Sequence, residues 1–425
     1  MPGKNRSGTT KRPPAKRASR RKSPPRRSPL VESNLRLIWK EQRISRAEIS
    51  RRTGLSRSTV SETVDSLLPT GLIAEVGVGP SSGGRPPVVL EFRDDAFAIL
   101  GVDMGASHVA VALTDLRGRV LVSRERPHPV RTDPEGTRAL IARFCDACLT
   151  EWPAGARRLV GIGVAVPSPV DPRHPDRLSE VVLPAWRGGL GLDFLAERYG
   201  VPLMVDNDAN LAALGERWWG AGRTVDDFAY IKVATGLGLG HVINGRIYRG
   251  STGVAGEIGH MAIDPHGAPC VCGLRGCLAT LVGAPALVDR TRALLATHPE
   301  SGLAGAELTL VSIEDAALAG DALAMTVVRE AAEYLGIAVA SLLNLTNPAM
   351  VILGGGLARL GDLLLQPLRE TVRRRTLISS LVACEIRTSE LGEQASAVGA
   401  ATMVLEVALE DSSLFPAARG RGGRR

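Results

Sequence analysis

The sequence predicts an α/β protein in which a small winged helix-turn-helix domain precedes a larger body of two related lobes. Two short amphipathic helices joined at a glycine are followed by two strand-like runs that flank a turn-rich loop. Beyond residue 97, strands and helices alternate, and a unit of strand, glycine loop and strand occurs twice. At 425 residues the chain is also too long for a single hydrophobic core.

A basic arm opens the chain. Residues 1–30 contain eleven Lys or Arg and no acid, while the net charge of the whole chain is +8, so the basicity belongs to the arm. The arm is rich in Pro and Ser and lacks apolar residues to bury, which predicts disorder. Its charge is equally consistent with attraction to phosphates and with a solubilising role. Residues 411–425 are predicted to form a smaller disordered tail of the same type.

Residues 32–92 are predicted to form the winged helix-turn-helix domain. Gly54 ends the first helix of the pair and allows the tight turn before the second, which opens with small polar residues. The runs LIAEV and VVLEF are strand-like, and the Gly/Pro-rich loop between them is typical of a wing. A helix pair also occurs in small domains that bind proteins, and the wing and the basic arm favour DNA over that alternative.

Two surfaces of this domain are predicted to contact DNA. Arg57, Ser58, Thr59 and Ser61 lie at the start of the second helix, where residues of such a motif reach the major groove. Arg85 lies in the wing loop and is predicted to contact the backbone or the minor groove. The segment resembles the winged helix-turn-helix of bacterial repressors.

The body contains glycine loops that can bind anions. The loop at 103–107 and the loop at 234–240 each interrupt a strand, and a third run of glycines, 354–356, follows another apolar strand. Because glycine permits close approach of the backbone, amide groups in such loops can surround a phosphate. Two similar units and a third loop predict two related lobes that face a cleft.

Three of the six cysteines lie within the stretch PCVCGLRGC. The basic amino terminus is not followed by an apolar segment, so no secretory signal is predicted, and no apolar run is long enough to cross a bilayer. We therefore expect a cytoplasmic protein without membrane contact. In a reducing compartment, clustered cysteines are more often metal ligands than disulfides.

The body, residues 97–410, resembles the ROK family, and the cysteine stretch is the most specific part of this resemblance. The family pattern is Gly-His followed by a Cys-x-Cys-Gly-x-x-Gly-Cys loop, and the chain has Gly259-His260 and then the loop that starts at Cys270. The resemblance implies a two-lobed, actin-like (ribonuclease H-like) sugar-kinase fold. It places the first lobe at about 97–206 plus a C-terminal helix, and the second lobe at about 207–390. The family contains both sugar kinases and sugar-responsive repressors.

The resemblance also implies a structural zinc ion. His260, Cys270, Cys272 and Cys277 match the family's motif, and three thiolates with one imidazole complete a tetrahedral Zn²⁺ shell. A shell of four protein ligands leaves no position for a reacting water. Buried or redox-active cysteines are the alternative.

Four residues are expected to bind a sugar by the same resemblance. They are Asn207, Asp208, Glu257 and His260, of which Asp208 corresponds to the base that deprotonates the attacking hydroxyl in the kinases. A carboxylate suits either a base or a hydroxyl acceptor, so this residue alone does not establish catalysis. Without the resemblance, the stretch DNDAN indicates the N-cap of a helix.

The phosphate loops depart from the kinase pattern. The kinases have Asp-x-Gly-Gly-Thr in the first loop and Gly-Thr-Gly in the second, where this chain has DMGAS and ATG. Ala279 stands where the family has a glutamate that contacts sugar. Each added Cβ is expected to crowd a phosphate. The residues that remain from the two phosphate loops are Asp103, Gly105, Ser107, Thr235 and Gly236.

The sequence thus predicts a DNA-binding transcriptional regulator, most simply a repressor of genes for carbohydrate uptake or catabolism. Its expected partners are a double-stranded DNA operator, a sugar or sugar-phosphate effector, and further copies of the chain in a homo-oligomer, by default a dimer and alternatively a tetramer. No catalytic role is expected. The alternative is an ATP-dependent sugar kinase of the glucokinase type with an appended DNA-binding domain.

Overall fold

A computed structural model describes residues 28–78, 88–153, 158–187, 189–376 and 384–416. The arm up to residue 27, the wing loop with Arg85, and the tail beyond residue 416 lie outside this part of the chain. The predictions made for them stay predictions.

The amino-terminal domain contains the expected helix pair and a small sheet. Its elements are α1 (Pro29–Glu41), β1 (Arg43–Ser45), α2 (Arg46–Thr53), α3 (Arg57–Leu67), β2 (Ile73–Val78) and β3 (Val88–Phe92), with strand order β1-β3-β2. Gly54 has φ of 72°, so it makes the left-handed turn predicted for it. The assignment of residues up to 30 to a disordered arm is wrong at its end. The Ser28 hydroxyl caps α1 and Pro29 suits its first turn.

The first lobe is built on a five-stranded sheet of order β6-β5-β4-β7-β8. Its strands are β4 (Ala98–Met104), β5 (His108–Thr114), β6 (Val120–Pro127), β7 (Leu159–Val166) and β8 (Leu203–Asn207), and its helices are α4 (Pro134–Glu151) and α5 (Asp193–Tyr199). β4, β5 and β6 form an antiparallel meander, and β4, β7 and β8 run parallel. Every residue of β4 and β7 is buried, because helices cover both faces there.

The second lobe repeats this pattern in a sheet of order β11-β10-β9-β12-β13. Its strands are β9 (Phe228–Val233), β10 (Leu237–Ile243), β11 (Arg246–Ile247), β12 (Met350–Gly354) and β13 (Glu385–Thr388). Its helices are α6 (Asp208–Trp219), α7 (Ala279–Val282), α8 (Ala284–Leu294), α9 (Leu310–Leu318), α10 (Ala322–Thr346) and α11 (Asp362–Arg375). Again three strands are antiparallel and two continue in parallel. The repetition confirms the prediction of two related lobes.

A final helix, α12 (Ala395–Glu410), packs against β4 and β7 of the first lobe and against α6. Glycines let the backbones approach so closely that a side chain has no room. A Cβ on Gly163 would lie 1.9 Å from the Ala400 carbonyl oxygen, and one on Gly399 would lie 1.7 Å from that of Leu211. This packing fixes α12 to the sheet and to α6.

The carboxyl end of α12 contacts the amino-terminal domain. The Arg36 guanidinium forms an ion pair of 2.7 Å with Glu410 and donates a hydrogen bond of 3.3 Å to the Leu409 carbonyl. The indole of Trp39 packs on that of Trp218, with ring centroids 5.2 Å apart. The amino-terminal domain thus contacts the body through α1.

The predicted tail begins later than residue 411. Residues 412–414 form a 3₁₀ turn, and Phe415 is buried with its ring centroid 5.4 Å from that of Phe97. The predicted start of the tail at residue 411 is wrong. It rested on the basic residues further along the chain, whereas the buried ring of Phe415 holds the segment before them against the core.

Two further observations bear on the class of protein. No described helix has the length together with the hydropathy that a bilayer-spanning segment requires. Cys145 and Cys148 lie in the hydrophobic core of the first lobe, and burial raises the pKa of both thiols. They are packing residues.

Candidate functional site: an interlobe cleft beside a Cys₃His cluster

Four potential metal ligands converge beside the cleft. The ligand atoms of His260, Cys270, Cys272 and Cys277 all lie within 4.8 Å of one another. His260 ends a 3₁₀ turn, and the cysteines follow on a loop that turns at Gly276, where φ is 63° and a Cβ would lie 1.4 Å from the Asp264 carbonyl oxygen. Only glycine fits there, so the return of the loop towards His260 depends on it.

The spacing within this cluster suits a tetrahedral ion. Metal–sulfur bonds of about 2.3 Å at tetrahedral angles put two sulfurs about 3.8 Å apart, and a sulfur and a nitrogen about 3.5 Å apart. The Cys272 and Cys277 sulfurs are 3.7 Å apart, and the Cys270 sulfur lies 3.5 Å from Nδ1 of His260. The residues present therefore fit a metal ion bound through Nδ1. The other ring nitrogen, Nε2, faces Glu257 at 3.8 Å, which is how such imidazoles are commonly oriented.

The cluster forms one wall of a cleft between the lobes with a volume of about 370 Å³. The sugar-binding candidates and most phosphate-loop residues line this same cleft. They are Gly105, Ser107, Asn207, Asp208, Thr235, Gly236, Glu257 and His260. Asp103 does not line it, because this buried carboxylate lies behind the others.

Asn207 connects the first lobe to α6. Its side-chain oxygen caps the helix by accepting hydrogen bonds from the amides of Ala209 and Asn210, at 3.0 and 3.1 Å. Its amide group donates to the Ser168 carbonyl at 3.2 Å. The residue is thus both the N-cap that the local sequence indicates and a fixed part of the cleft wall.

Lys232 on β9 is a cleft residue that the sequence analysis missed. Its ammonium donates to Asp208 Oδ2 at 2.9 Å, to Ser396 Oγ at 3.2 Å and to Asp103 Oδ2 at 3.5 Å. The other oxygen of Asp208 accepts from the Ala209 amide at 2.8 Å. A single charged residue within the apolar run FAYIKV was the available signal.

Opposite charges outweigh burial in this group. Burial would lower the pKa of Lys232, but Asp103 and Asp208 raise it well above its usual range. Burial would likewise raise the pKa of Asp103, but the Lys232 ammonium and His108 hold it well below its usual range. Lys232 and Asp103 are therefore both charged across the neutral pH range.

The two phosphate loops contact each other. The Ser107 and Thr235 hydroxyls, one from each lobe, form a hydrogen bond of 2.9 Å. The His108 imidazole packs over the first loop, where a Cβ on Gly105 would lie 2.2 Å from its Cε1, and Nε2 of the ring is 3.4 Å from Asp103. Side chains of the protein thus occupy the space between the loops.

The third glycine run contacts protein atoms. A Cβ on Gly354 would lie 1.9 Å from the Tyr230 hydroxyl, and one on Gly355 would lie 2.3 Å from the Val233 carbonyl oxygen. These glycines are explained by close packing, and none of residues 354–356 lines the cleft.

Comparison with known proteins agrees with this architecture. The sequence model of the ROK family matches residues 99–407, and that of winged helix-turn-helix DNA-binding domains matches residues 35–74. The chain belongs to the ROK family. The predictions of family and fold class are thereby confirmed.

ROK regulators and ROK kinases both resemble the chain. It is 33% identical over 372 residues to the xylose repressor of Bacillus subtilis strain 168, covering 88% of this chain and 94% of that one. The structure of a ROK family transcriptional regulator, a homologue of the Escherichia coli MLC protein, covers 91% of this chain and 98% of its own, with 27% identity and a TM-score of 0.74. A glucokinase of Halalkalibacterium halodurans is 35% identical over 315 residues, covering 72% of this chain and 94% of its own.

In this ROK protein the predicted DNA-reading residues lie together on α3. Arg57 and Ser58 are exposed, and Thr59 and Ser61 are half-buried. Asp65 on the same helix pairs with Arg46 at 2.8 Å. That pairing turns its carboxylate aside from the surface that would face phosphates.

Proposed function

We propose that this ROK protein is a transcriptional repressor of carbohydrate genes, which reads an operator with its winged domain and binds a sugar or sugar phosphate in the interlobe cleft. The observation that carries the proposal is α12, because this single helix contacts both the residues at the base of the cleft and helix α1 of the winged domain. The regulators among its relatives align with 88% and 91% of this chain, which is more than the ROK body alone.

Recognition of DNA is assigned to α3. The Ser56 side chain caps this helix by accepting a hydrogen bond from the Thr59 amide at 3.1 Å. Arg57 and Ser58, in the first turn, are exposed. Among the described residues Arg57 and Ser58 have no buried partner that they would have to leave on binding, so they are available to base edges and phosphates. Symmetric dimers on palindromic half-sites are the arrangement that we propose.

Recognition of the effector is assigned to the cleft wall. Glu257 and Asp208 supply carboxylate acceptors for hydroxyl groups, and the Asn207 amide is held in place by its cap. Zinc is the metal proposed for the cluster, where His260 and the three cysteines would hold it and fix the loop beside Glu257. With four protein ligands its role is structural.

Communication between the sites is assigned to α12. At its amino end the Ser396 hydroxyl accepts from Lys232 and donates to the Asp208 carbonyl at 3.3 Å. At its carboxyl end Glu410 pairs with Arg36 of α1. The 16 residues of α12 span about 24 Å. A sugar that displaces Lys232, Asp208 and Ser396 at the base of the cleft would thereby shift the winged domain. It does so only to the extent that its affinity differs between the placement of the winged domain that binds DNA and the placement that does not.

The alternative function is that of a sugar kinase, and the similarity to a glucokinase favours it. Lys232 places an ammonium on Oδ2 of Asp208, the carboxylate that would have to take up the proton of the attacking hydroxyl, and a cation in this position opposes that proton transfer. The hydrogen bond between Ser107 and Thr235 also joins the two phosphate loops, so a phosphoryl group could lie between them only after this contact is broken. Both contacts support a receptor over an enzyme.

The test is operator binding by the full chain, after its genomic binding sites have been mapped to supply the DNA. Arg57→Ala should weaken binding about tenfold, because a guanidinium contact to DNA contributes about 1–3 kcal/mol. Arg126→Ala is the matched control, an exposed arginine on edge strand β6 whose loss should leave the affinity unchanged. Equal affinities of Arg57→Ala and the wild type, or a lack of genomic sites, would reject the proposal.

A further inference from the structure

One ammonium group lies between carboxylates of the two lobes. Lys232 comes from the second lobe, Asp103 from β4 of the first, and Asp208 from the first turn of α6. Asp103 is 2% exposed, and within the described part of the chain its Oδ1 has no hydrogen-bond partner. Two carboxylates this close cannot both stay ionised in a buried site unless a cation neutralises them.

All three protons of the ammonium have acceptors. Lysine offers three donors, and Asp208, Asp103 and Ser396 each accept one. The group therefore has no donor left for a phosphate oxygen. Its contacts also resemble a coordination shell, since a hard cation in this position would be met by the same two carboxylates and the same hydroxyl.

We propose that the Lys232 ammonium is a built-in counterion which occupies a divalent-cation position between the lobes. The cleft accordingly closes without a metal ion or nucleotide, and effector binding is independent of both. The independence of effector binding rests on the proposed function, whereas the placement of the cation does not. Hence the two can fail separately.

Removing the lysine should expose the cation site. The probe is Mn²⁺ alone, added to zinc-loaded full-length protein and followed by the paramagnetic resonance signal of the free ion. Lys232→Ala should bind one additional Mn²⁺ at least about tenfold more tightly than the wild type, because two carboxylates lose their counterion. Lys232→Ala combined with Asp208→Asn should lose this gain. Unchanged zinc content in each variant shows that the Cys₃His cluster is intact.

Two outcomes would overturn the inference. One is a Lys232→Ala protein that gains no Mn²⁺ affinity, and the other is a wild type that already binds Mn²⁺ as tightly as the variant. If Lys232→Ala does not fold, the wild type decides, since its sugar affinity should be the same with and without Mg²⁺ and a non-hydrolysable ATP analogue. A requirement for either would refute the proposal. None of the Mn²⁺ measurements involves sugar or DNA, so failure of the proposed function would be seen separately in operator binding.

Discussion

The Cys₃His cluster and the floor of the cleft are neighbours, but they are built in opposite ways. The cluster comes from one stretch between His260 and Cys277, so the convergence of its ligand atoms does not require a contact between the lobes. The floor is assembled from β4, β9, α6 and α12, and Lys232 is separated by 129 residues from Asp103 and by 164 from Ser396. The cluster therefore stabilises one wall, whereas the floor holds the lobes and α12 together. A change in the relative position of the lobes would therefore alter the contacts of the floor and leave those of the cluster unchanged.

The largest effect is expected from breaking the cluster. Cys272→Ser should reduce bound zinc from about one ion per chain to none, because a structural site rarely survives the loss of a thiolate. The free energy of unfolding should fall by about 4 kcal/mol or more, as for other lost metals. Elemental analysis and denaturant unfolding measure both.

Cys384→Ser is the matched control for this experiment, because that thiol is half-buried and lies outside the cluster. It should keep its zinc. Full zinc content in Cys272→Ser would show that Cys272 is not a zinc ligand and would contradict the proposed Cys₃His site.

The next largest effect is expected at the floor. Lys232→Met leaves two carboxylates without their counterion and should cost about 3–5 kcal/mol in the free energy of unfolding. Lys40→Met, at an exposed lysine, is the control and should cost almost nothing. Chemical denaturation of both variants gives the comparison.

The cost of Lys232→Met should depend on pH in a defined way. The pKa of Asp103 is lowered in the folded protein, so its stabilisation is present above the unfolded value of about 4 and is lost as the pH falls further. The pKa of Lys232 is raised, so its share is complete below about 10 and is lost at higher pH. The difference from the wild type should be largest between pH 5 and 9 by the same argument. A difference that is the same at pH 3 and pH 7 would exclude the ion pairs as its cause.

A smaller effect is expected where α12 meets the sheet. Gly163→Ala puts a methyl group against the Ala400 carbonyl and should cost about 1–3 kcal/mol by overpacking. It should also reduce the change in operator affinity caused by a sugar, since α12 is displaced. Gly189→Ala, with no atom within 4 Å of its Cβ, is the control. Equal coupling in the two variants would exclude α12 as the connection.

The same contrast explains what the sequence could predict. The cluster and the helix pair each lie within about twenty residues of sequence. The resemblance to the ROK family could therefore assign His260 together with its cysteines, and local helix signals were enough to predict the turn at Gly54. Lys232 depends on pairings over long separations, which spacing does not reveal. The glycines at 354–356 were ambiguous for another reason, because a missing Cβ serves close packing as well as phosphate binding. Phe415 was missed because one aromatic residue a few positions before a basic segment is a weak signal.

The central claim is that this ROK body senses a sugar and does not phosphorylate it. The direct measurement is an operator-binding titration with xylose, glucose, mannose, N-acetylglucosamine and their phosphates, with and without ATP and Mg²⁺, and with the sugar recovered for product analysis. We expect one of these ligands to release the operator equally well with and without ATP and to be recovered unchanged. Recovery of a newly phosphorylated sugar, formed only with ATP at the rate of an enzyme, would contradict it.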